Sequence, residues 1–487
     1  MSNEIRNLEP KSVWSNFADI NAVPRPSKKE ERIIEFMLNF GKKLNLETYK
    51  DDVGNIIIKK PATTGMENRK TVVLQSHLDM VHQKNNDTEF NFDTQGIQMY
   101  VDGDWVRANG TTLGADNGLG VAAIMAILES NSIQHPAIEA LFTIDEETGM
   151  TGAKGLKGGL LSGEILLNLD TEEDDEIDIG CAGGIDVTAD ATYDEEETPA
   201  GYISYKITVK GLQGGHSGMD IHKGLANANK LMNRLLFNAS EDYGIQIASL
   251  HGGSLRNAIP RESVATVVLN PIYEQPFIAD MQEISNEIRT EFKTTEPTLE
   301  IIFEKQINIP NKVMPTLAQF YFLRAMYTAH NGVYKMSADF DDLVETSNNI
   351  AKVIVENGSV SVHSLTRSSV ESSKLDLAQA LRSAFELMGA EVTFSGSYPG
   401  WQPNPNSKIL EVLKNIYINQ NNAQPNVIAC HAGLECGILG TNYPTMDMIS
   451  FGPTIKGAHS PDERASISSV TKFWNFLLEI LKNIPLK

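Results

Sequence analysis

The feature of this sequence that most constrains its fold is a set of short, strand-like runs with apolar centres within the first 170 residues. The runs are NIIIKK (55–60), TVVLQSH (71–77), IEALFTID (138–145) and EILLNLD (164–170). Helical patterns alternate with them, among them residues 28–45 and the apolar stretch GLGVAAIMAILES (118–130). Strands that are apolar along their whole length must be covered on both faces. The alternation therefore predicts an α/β fold in which a sheet is flanked by helices.

The middle of the chain follows a different pattern. After two acidic stretches, EEDDEID (172–178) and DEEETPAG (194–201), half-polar strands such as ISYKITVKG (203–211) alternate with amphipathic helices. Residues 334–394 repeat this style, and the Pro/Gly/Asn-rich passage GSYPGWQPNPNS (396–407) then returns to the first pattern. A chain of 487 residues is also too long for one ordinary core. We therefore expect a discontinuous domain with a mixed sheet, residues 1–201 and 396–487, interrupted by an inserted α+β domain with two lobes, residues 202–395.

The charge balance excludes several classes of partner. Lys and Arg number 41 against 63 acidic residues, which gives a formal net charge of -22. Binding of nucleic acid or of an anionic membrane needs a basic footprint, so neither partner is expected. No stretch of roughly 18 apolar residues predicts a membrane span, and the N-terminal residues lack the apolar core of a signal peptide. Together with the presence of only three cysteines, this pattern predicts a cytoplasmic protein.

Two of the three cysteines flank a histidine in the segment CHAGLEC (430–436). Cys430, His431 and Cys436 together resemble part of a zinc knuckle, but no second Cys/His cluster in the sequence completes the four ligands of such a site. We therefore expect ordinary packing beside a glycine-rich turn at this position.

Four segments place side chains of metal-ligand type at or just beyond apolar strands. They are SHLDMVHQ (76–83), GADNG (114–118), DEETG (145–149) with NLDTEE (168–173), and AHSPDE (458–463). In open α/β sheets, ligands collect outside the carboxyl ends of the strands, so these separate segments can converge on one site. The candidate metal ligands are His77, Asp116, Glu147, Asp170 and His459. Such a mixture of imidazole nitrogen and carboxylate oxygen suits zinc and also admits cobalt or manganese.

His77 and Asp79 form a His-x-Asp pair directly after an apolar strand. In extended backbone the side chains of residues i and i+2 point the same way, so Asp79 can fix the ring of His77 and leave its other nitrogen for a metal. A histidine exposed at a strand end is the alternative. Asp116, on a glycine-flanked turn, can bridge two cations. Alternatively it caps the helix that follows, with Asn117 as a second candidate for that cap.

Glu146 and Glu147 are adjacent at the end of an apolar strand. Neighbouring side chains there point in different directions, so one carboxylate can bind metal while the other acts as general base on a water molecule. A solvated acidic turn is the alternative. Asp170 likewise ends an apolar run. Its alternative is membership of the acidic run that follows, in which Glu172 and Glu173 are competing ligand candidates.

These motifs, taken together and in this order, resemble the dizinc metallopeptidase family of aminoacylases and carnosinases, and the match extends over nearly the whole chain. The resemblance implies two divalent metal ions per chain, most naturally zinc. The ligands implied for one ion are His77, Asp116 and Asp170. Those implied for the other ion are Asp116, Glu147 and His459. The resemblance also implies that Glu146 is the catalytic general base and that Asp79 orients His77.

In this family the inserted domain acts as a lid that supplies substrate contacts. The segment GGHSG (214–218) matches the lid motif whose histidine, here His216, helps to stabilise the developing oxyanion. Asn257 in GGSLRNAIPRE and Arg367 in HSLTRSS are the other implied substrate contacts. Arg367 would act as a bidentate clamp for a substrate carboxylate. A simple tight turn at GGHSG and a surface position for Arg367 are the alternatives.

The substrates implied are small peptides. Phrases such as SHLDMVHQKN and GLQGGHSGMDIHKG are similar to the branch of the family that cleaves Xaa-His dipeptides such as carnosine. Broader dipeptidase or tripeptidase activity and deacylation of N-acyl amino acids are alternatives. A metal-stabilised binding protein without turnover is disfavoured by the spare carboxylate of Glu146. The insertion is nearly twice as long as the usual lid, which leaves both a monomer and a homodimer open.

Overall fold

The computed structural model describes residues 3–85, 87–430 and 433–487. The chain divides into two compact units. The first unit comprises Met1–Gly180, Pro403–Ala429 and Leu434–Lys487, and the second comprises Cys181–Gln402 and Cys430–Gly433. The first unit is therefore discontinuous, and the second is inserted into it. Within the described ranges, every helix is too short or too polar to span a membrane.

The strands are given in chain order. The first group is β1 (Glu47–Lys50), β2 (Ile56–Lys60), β3 (Val72–His77), β4 (Met99–Asp102), β5 (Trp105–Ala108), β6 (Ile138–Thr143), β7 (Ile165–Asn168) and β8 (Glu176–Cys181). The next group is β9 (Gly183–Thr192), β10 (Glu196–Glu197), β11 (Ile203–Lys210), β12 (Gly215–His216), β13 (Gln246–Gly252), β14 (Ala258–Ile259), β15 (Ser263–Leu269), β16 (Glu300–Gln306), β17 (Lys312–Val313), β18 (Gly332–Met336), β19 (Val344–Glu356), β20 (Ser359–Ser368) and β21 (Glu391–Tyr398). The last group is β22 (Asn426–Cys430), β23 (Asp447–Ser450), β24 (Ile455–Lys456) and β25 (Arg464–Ser466).

The α-helices that precede the second unit are α1 (Asn3–Arg6), α2 (Lys11–Asn21), α3 (Glu31–Lys43), α4 (Ala115–Glu129), α5 (Glu146–Gly149) and α6 (Thr151–Gly155). Those of the second unit are α7 (Ala228–Tyr243), α8 (Glu274–Glu291), α9 (Thr316–Thr328) and α10 (Glu371–Glu386). The chain then continues with α11 (Lys408–Asn421), α12 (Glu435–Asn442) and α13 (Ile467–Lys482).

The first unit is built on a mixed sheet with the strand order β1-β2-β6-β3-β7-β23-β8-β22. The central strands β6, β3, β7 and β23 run parallel to one another, whereas β1, β2 and β8 are paired antiparallel. Strands β3, β6 and β7 are buried along their whole length, as their continuous apolar sequences predict. Because the central strands are parallel, their carboxyl ends lie at one edge of the sheet, and the residues that follow them are brought together there.

Helix α4 is almost completely buried within the first unit. It packs against α2 and β3, and every residue from 117 to 128 is buried, which explains why the helix has no polar face. Asp116 and Asn117, in its first turn, depart from helical dihedral angles and are joined by a cis peptide bond. Gly114 occupies the cap position in the left-handed conformation, with φ 69°, and no side chain caps the helix. Among the described residues Asn117 Oδ1 has no hydrogen-bond partner and the Asp116 oxygens face His77 and His459, so the capping role considered for Asp116 and Asn117 is wrong.

The second unit contains an antiparallel sheet with the strand order β16-β11-β15-β13-β19-β20-β9-β21, to which β18 is added by pairing with β19. The apolar faces of α7, α8, α9 and α10 form one hydrophobic core with the strands of this sheet. The two expected lobes thus contribute to the same nine-stranded sheet and to one shared hydrophobic cluster. The predicted α/β fold with an inserted α+β domain is confirmed.

The borders between the two units differ from those expected from the sequence. Strand β9 pairs with β20 and β21, so the second unit begins at Cys181 rather than near residue 202. The acidic stretch 194–201 contributes β10, which pairs with β17, and does not separate the units. A run of charge marks a solvated segment, and such a segment occurs within a domain as readily as between domains. The assignment of catalytic and lid roles to the two parts of the chain stays a prediction.

Candidate metal centre

Five side chains from separate segments of the first unit converge at the carboxyl edge of its sheet. Their positions are the last residue of β3 (His77), the start of α4 (Asp116), helix α5 after β6 (Glu147), the loop after β7 (Asp170) and the loop after β24 (His459). They form two groups, within each of which the ligand-type atoms lie within 4.8 Å of one another. One group is His77, Asp116 and Asp170, and the other is Asp116, Glu147 and His459. All five residues predicted from the sequence as ligands are thus brought together.

Asp116 is shared by the two groups, and its two carboxylate oxygens face different histidines. Its Oδ1 lies 3.1 Å from His77 Nε2, and its Oδ2 lies 3.1 Å from His459 Nε2. On the first side, Asp170 Oδ1 lies 3.5 Å from His77 Nε2. On the second side, Glu147 Oε2 lies 3.0 Å from His459 Nε2. Each side therefore presents one imidazole nitrogen and carboxylate oxygens to a common point.

Asp79 contacts the His77 ring and the backbone of the two glutamates. His77 is only 1% exposed and Asp79 is fully buried, so the alternative of an exposed histidine at the strand end is wrong. Asp79 Oδ1 lies 3.3 Å from His77 Nδ1, on the opposite side of the ring from the Nε2 atom that faces Asp116. The same carboxylate accepts the backbone N–H groups of Glu146 at 3.0 Å and Glu147 at 3.2 Å. Asp79 thus contacts both a ligand-type ring and the turn that carries the two glutamates.

The acids of the centre strongly favour the protonated form of its two histidines. Burial alone would lower the pKa of His77, but Asp170, Asp116 and Asp79 raise that pKa well above its ordinary value. Hydrogen bonds to Asp116 and Glu147 raise the pKa of His459 to about 11. His459 also adopts a left-handed backbone conformation, with φ 64°, which residues other than glycine rarely adopt. The surrounding carboxylates therefore strongly stabilise positive charge beside the two Asp116 oxygens.

The carboxylates of the centre are crowded and largely buried. Burial, together with neighbouring acids, raises the pKa of Glu147 and Asp170 and raises that of Glu146 well above its ordinary value. Buried acids cost free energy unless they are paired or bind cations. Among the described residues, Glu147 Oε1 is buried without a hydrogen-bond partner. The donor set and this oxygen therefore fit divalent cations, for which neutral imidazole nitrogens are also good ligands.

The competing ligand candidates of the acidic run take no part in either group. Burial, followed by the nearby charge of Asp116, raises the pKa of Glu172 to about 8. Glu173 instead forms an ion pair with Lys456. Asp170, by contrast, lies beside His77, so it belongs to the ligand groups rather than to the solvated run.

The candidate substrate-binding histidine, His216, lies in the second unit and has a defined tautomer. It ends β12, which pairs with β14 directly after Asn257. His216 Nδ1 accepts the backbone N–H groups of Gly218 at 3.2 Å and Met219 at 3.0 Å. Burial, and next the positive charge of Arg367, lower the pKa of His216. A neutral imidazole whose Nδ1 accepts hydrogen bonds carries its proton on Nε2.

The other two candidate contacts differ in exposure. Arg367 is only 5% exposed, so the surface position considered for it is wrong. Its Nη1 donates to the Tyr398 hydroxyl at 2.8 Å, and its buried Nε has no hydrogen-bond partner among the described residues. Asn257 is exposed, and its backbone carbonyl accepts the N–H of Ser217 at 2.8 Å.

Two buried charged residues that hold the ligand segments were not found from the sequence. Arg25 donates to the carbonyl oxygens of Leu78 at 3.1 Å, Asp79 at 2.9 Å and Gly114 at 2.6 Å. Glu463 is hydrogen bonded to the turn that precedes Asp116. Glu463 belongs to the AHSPDE motif, so its sequence signal was present, whereas Arg25 has no signal beyond its two flanking prolines.

The segment 430–436 contributes a buried acid to this region. Glu435 accepts hydrogen bonds from Gln75 Nε2 and from Thr143 Oγ1, both at 2.6 Å. Burial raises the pKa of Glu435 to about 7. Cys436 is buried in α12, and His431 lies outside the described residues. Glu435 therefore contacts side chains of β3 and β6, the strands that precede two of the candidate ligand segments.

Comparison with known proteins agrees with this geometry. The family model described as Peptidase family M20/M25/M40 matches residues 73–483. The cytosol non-specific dipeptidase of Escherichia coli (strain K12) is 44% identical over 484 residues, which cover 99% of this chain and 100% of that protein. The crystal structure of aminoacylhistidine dipeptidase from Vibrio alginolyticus matches with a TM-score of 0.95 and 43% identity, covering 99% of this chain and 98% of that one.

A more distant structure shows that the fold extends further. Aminopeptidase PepT from Bacillus cereus matches with a TM-score of 0.57 and 16% identity, covering 98% of this chain and 99% of that one. At this level of identity the likeness concerns the fold alone. The family match, by contrast, spans most of the chain, and the Escherichia coli relative is similar over its full length. On these grounds the chain belongs to peptidase family M20/M25/M40.

Proposed function

We propose that the chain is a metal-dependent dipeptidase that holds two divalent cations, with the ligands His77, Asp116, Glu147, Asp170 and His459. The observation that carries this proposal is the position of Asp116, whose two oxygens face His77 and His459 at 3.1 Å each. A carboxylate between two groups of ligands can bridge two cations. Zinc suits this mixture of nitrogen and oxygen ligands, and cobalt or manganese are alternatives.

Glu146 is the proposed general base. Bound cations would supply Lewis acidity, which polarises a peptide carbonyl and lowers the pKa of water. Glu146 takes a proton from the attacking water and then delivers it to the leaving amine. Its side chain belongs to neither ligand group, so it is free for this task. Burial and nearby acids raise the pKa of Glu146 well above its ordinary value, and the charge of His77 offsets only part of this increase. Bound cations would lower the pKa further.

Asp79 is the proposed orienting residue. Its Oδ1 lies 3.3 Å from His77 Nδ1, so its negative charge favours the ring orientation in which Nε2 is directed to the ligand group. Because it also accepts the N–H groups of Glu146 and Glu147, it fixes the backbone of the base and of one ligand. One carboxylate thereby contacts the ring of one proposed ligand and the backbone of two further site residues.

The substrate-binding roles of His216, Asn257 and Arg367 are proposed from the family resemblance. The Nε2–H of a neutral His216 is the kind of donor that a developing oxyanion requires. The buried guanidinium of Arg367, with an unused Nε–H among the described residues, suits a planar carboxylate such as the C-terminus of a dipeptide. Asn257 is exposed and so is accessible to a substrate.

The proposed preferred substrates are Xaa-His dipeptides such as carnosine. The name of the Vibrio alginolyticus relative, aminoacylhistidine dipeptidase, supports this preference. The name of the Escherichia coli relative, cytosol non-specific dipeptidase, favours a second candidate, hydrolysis of dipeptides with little side-chain preference. That name also supports the proposed cytoplasmic location.

A substrate panel with reconstituted metal tests these proposals. Metal-free protein would be loaded with Zn²⁺, Co²⁺ or Mn²⁺ and assayed on carnosine, Ala-His, Ala-Ala, Gly-Leu, a tripeptide and N-acetylhistidine. We expect metal-dependent hydrolysis of the dipeptides, with the largest kcat/KM for the Xaa-His members. Equal rates on all dipeptides would favour the non-specific candidate. Hydrolysis of N-acetylhistidine in preference to every dipeptide, or no metal-dependent turnover, would contradict the proposed function.

A further inference from the structure

Glu463 makes an unusual set of contacts with the backbone around the shared aspartate. It is only 2% exposed and follows His459 by four residues along the same loop. Its Oε2 accepts the N–H groups of Leu113 at 2.7 Å and Gly114 at 2.9 Å. Its Oε1 accepts those of Ala115 at 2.7 Å and Asp116 at 3.3 Å. One carboxylate therefore binds four successive N–H groups that end at Asp116.

These four contacts fix the backbone of the turn that carries Asp116. Successive N–H groups can converge on one acceptor only if the backbone turns sharply, and the left-handed φ of 69° at Gly114 provides that turn. The turn is also held from its other side, because Arg25 donates to the Gly114 carbonyl at 2.6 Å. The turn that leads to Asp116 is consequently held by Glu463 through its N–H groups and by Arg25 through the Gly114 carbonyl.

The same contacts connect three ligand-bearing segments. Arg25 also donates to the carbonyls of Leu78 and Asp79, the two residues that follow His77. Glu463 is on the loop of His459. The segments of His77, Asp116 and His459 are thus joined through one buried arginine and one buried glutamate. Both oxygens of Glu463 are occupied by backbone donors, and Glu463 belongs to neither ligand group, so it is not itself a ligand.

We propose that Glu463 is a positioning residue for the metal centre, which acts by fixing the turn that directs Asp116 toward both cations and by tying the His459 loop to that turn. This inference rests on the proposed metal ligands. Residues behind the ligands usually control affinity by fixing ligand orientation. A glutamine at this position would direct an NH₂ group at backbone N–H donors, so the turn would lose acceptors while the shape of the side chain is kept.

The same unit offers a matched control in Glu139. It is 3% exposed, and its carboxylate also binds backbone donors, the N–H groups of Ser162 at 2.8 Å and Gly163 at 2.9 Å. Glu139 is contained in neither of the two proposed ligand groups. Glu139→Gln therefore removes a similar buried clamp and tests general destabilisation without altering the turn at Asp116.

The experiment titrates metal-free full-length protein with Co²⁺ alone and follows the visible absorption of the bound ion. We expect Glu463→Gln to weaken Co²⁺ binding by about 10–100-fold and to alter the absorption bands, because outer contacts of ligands have effects of this size. Glu139→Gln should keep the affinity and spectrum of the wild type. If Glu463→Gln does not fold, Glu463→Asp serves instead, since its shorter side chain withdraws the carboxylate from the four donors.

Wild-type affinity and spectrum in the Glu463 variant would overturn the inference. A loss of equal size in Glu139→Gln would also overturn it, because the effect would then be general destabilisation. Asp116→Asn separates this failure from failure of the proposed function. If Asp116→Asn binds Co²⁺ as the wild type does, the proposed ligand set is wrong. If Asp116→Asn loses Co²⁺ while the Glu463 variant retains it, only the role of Glu463 is wrong.

Discussion

Replacement of the proposed general base, Glu146→Gln, should remove most turnover while metal is retained. The side chain of Glu146 lies outside both ligand groups, and its backbone hydrogen bond to Asp79 Oδ1, at 3.0 Å, persists in the variant. Glutamine keeps the shape of the side chain but does not accept a proton. General-base catalysis contributes about 10²–10⁴-fold, which corresponds to about 2.7–5.4 kcal/mol of activation free energy. We expect kcat to fall by that factor with little change in KM.

The adjacent residue supplies the matched comparison. Glu147 Oε2 lies 3.0 Å from His459 Nε2, and Glu147 belongs to the second ligand group. Glu147→Gln should therefore weaken metal binding by about tenfold or more, since a charged ligand is replaced by a neutral one. Its turnover should recover in part when excess metal is added. Metal analysis after dialysis and initial rates on a dipeptide, measured for both variants, distinguish the two roles.

The reasoning would be refuted by wild-type turnover in Glu146→Gln. Loss of metal from Glu146→Gln with full retention by Glu147→Gln would show that the two carboxylates have the opposite roles. Wild-type turnover in Glu146→Gln would also remove the reason for regarding the centre as catalytic rather than structural, because a structural site needs no spare carboxylate.

Two further predictions concern pH and the turn before Asp116. With the pKa of His459 raised to about 11, this ring is protonated at pH 7 in the metal-free protein and must lose its proton to bind a cation. Metal binding should thus release protons and become tighter as the pH rises. Calorimetry in two buffers should show that His459→Gln releases about one proton fewer per chain on metal binding than the wild type does. Equal proton release by the two proteins would contradict this prediction. Gly114→Ala should lower the free energy of unfolding by about 1–3 kcal/mol, because φ is 69° and the added Cβ would lie 2.6 Å from Arg25 Nη2. An unchanged free energy of unfolding, measured by guanidinium chloride denaturation, would show that the turn tolerates a side chain.

The fold was largely predictable because its strands carry an unusually clear signal. Continuous apolar runs such as 71–77 and 138–145 became the buried strands β3 and β6, and their alternation with helices indicated the flanked sheet. The border of the inserted unit was harder to predict. Strand β9 alternates between buried and partly exposed residues, and the acidic segment that follows it resembles a linker although it pairs within the same unit. Pairing between residues distant in sequence, which decides such a border, leaves no local signal.

The members of the candidate metal centre were easier to predict than the residues that support them. Ligand-type residues at strand ends could be listed because parallel strands bring their carboxyl ends together. The family resemblance behind their roles is confirmed, whereas the roles of individual residues stay predictions. The roles of Arg25 and Glu463 were missed because most of their hydrogen bonds are with backbone atoms, and even the motif that contains Glu463 does not specify which backbone groups it binds. The sequence also did not predict the burial of Arg367, since an arginine within a polar strand resembles a surface residue.

The most direct test of the central claim is the number of cations bound per chain by the wild type and by Asp116→Asn. Because Asp116 is shared by both ligand groups, we predict two bound zinc ions per chain in the wild type and weakened binding of both in the variant. The count would be obtained by elemental analysis after dialysis against a series of free zinc concentrations. A wild type that binds a single ion, or an Asp116→Asn variant that keeps one ion at wild-type affinity, would contradict a centre built on a bridging Asp116.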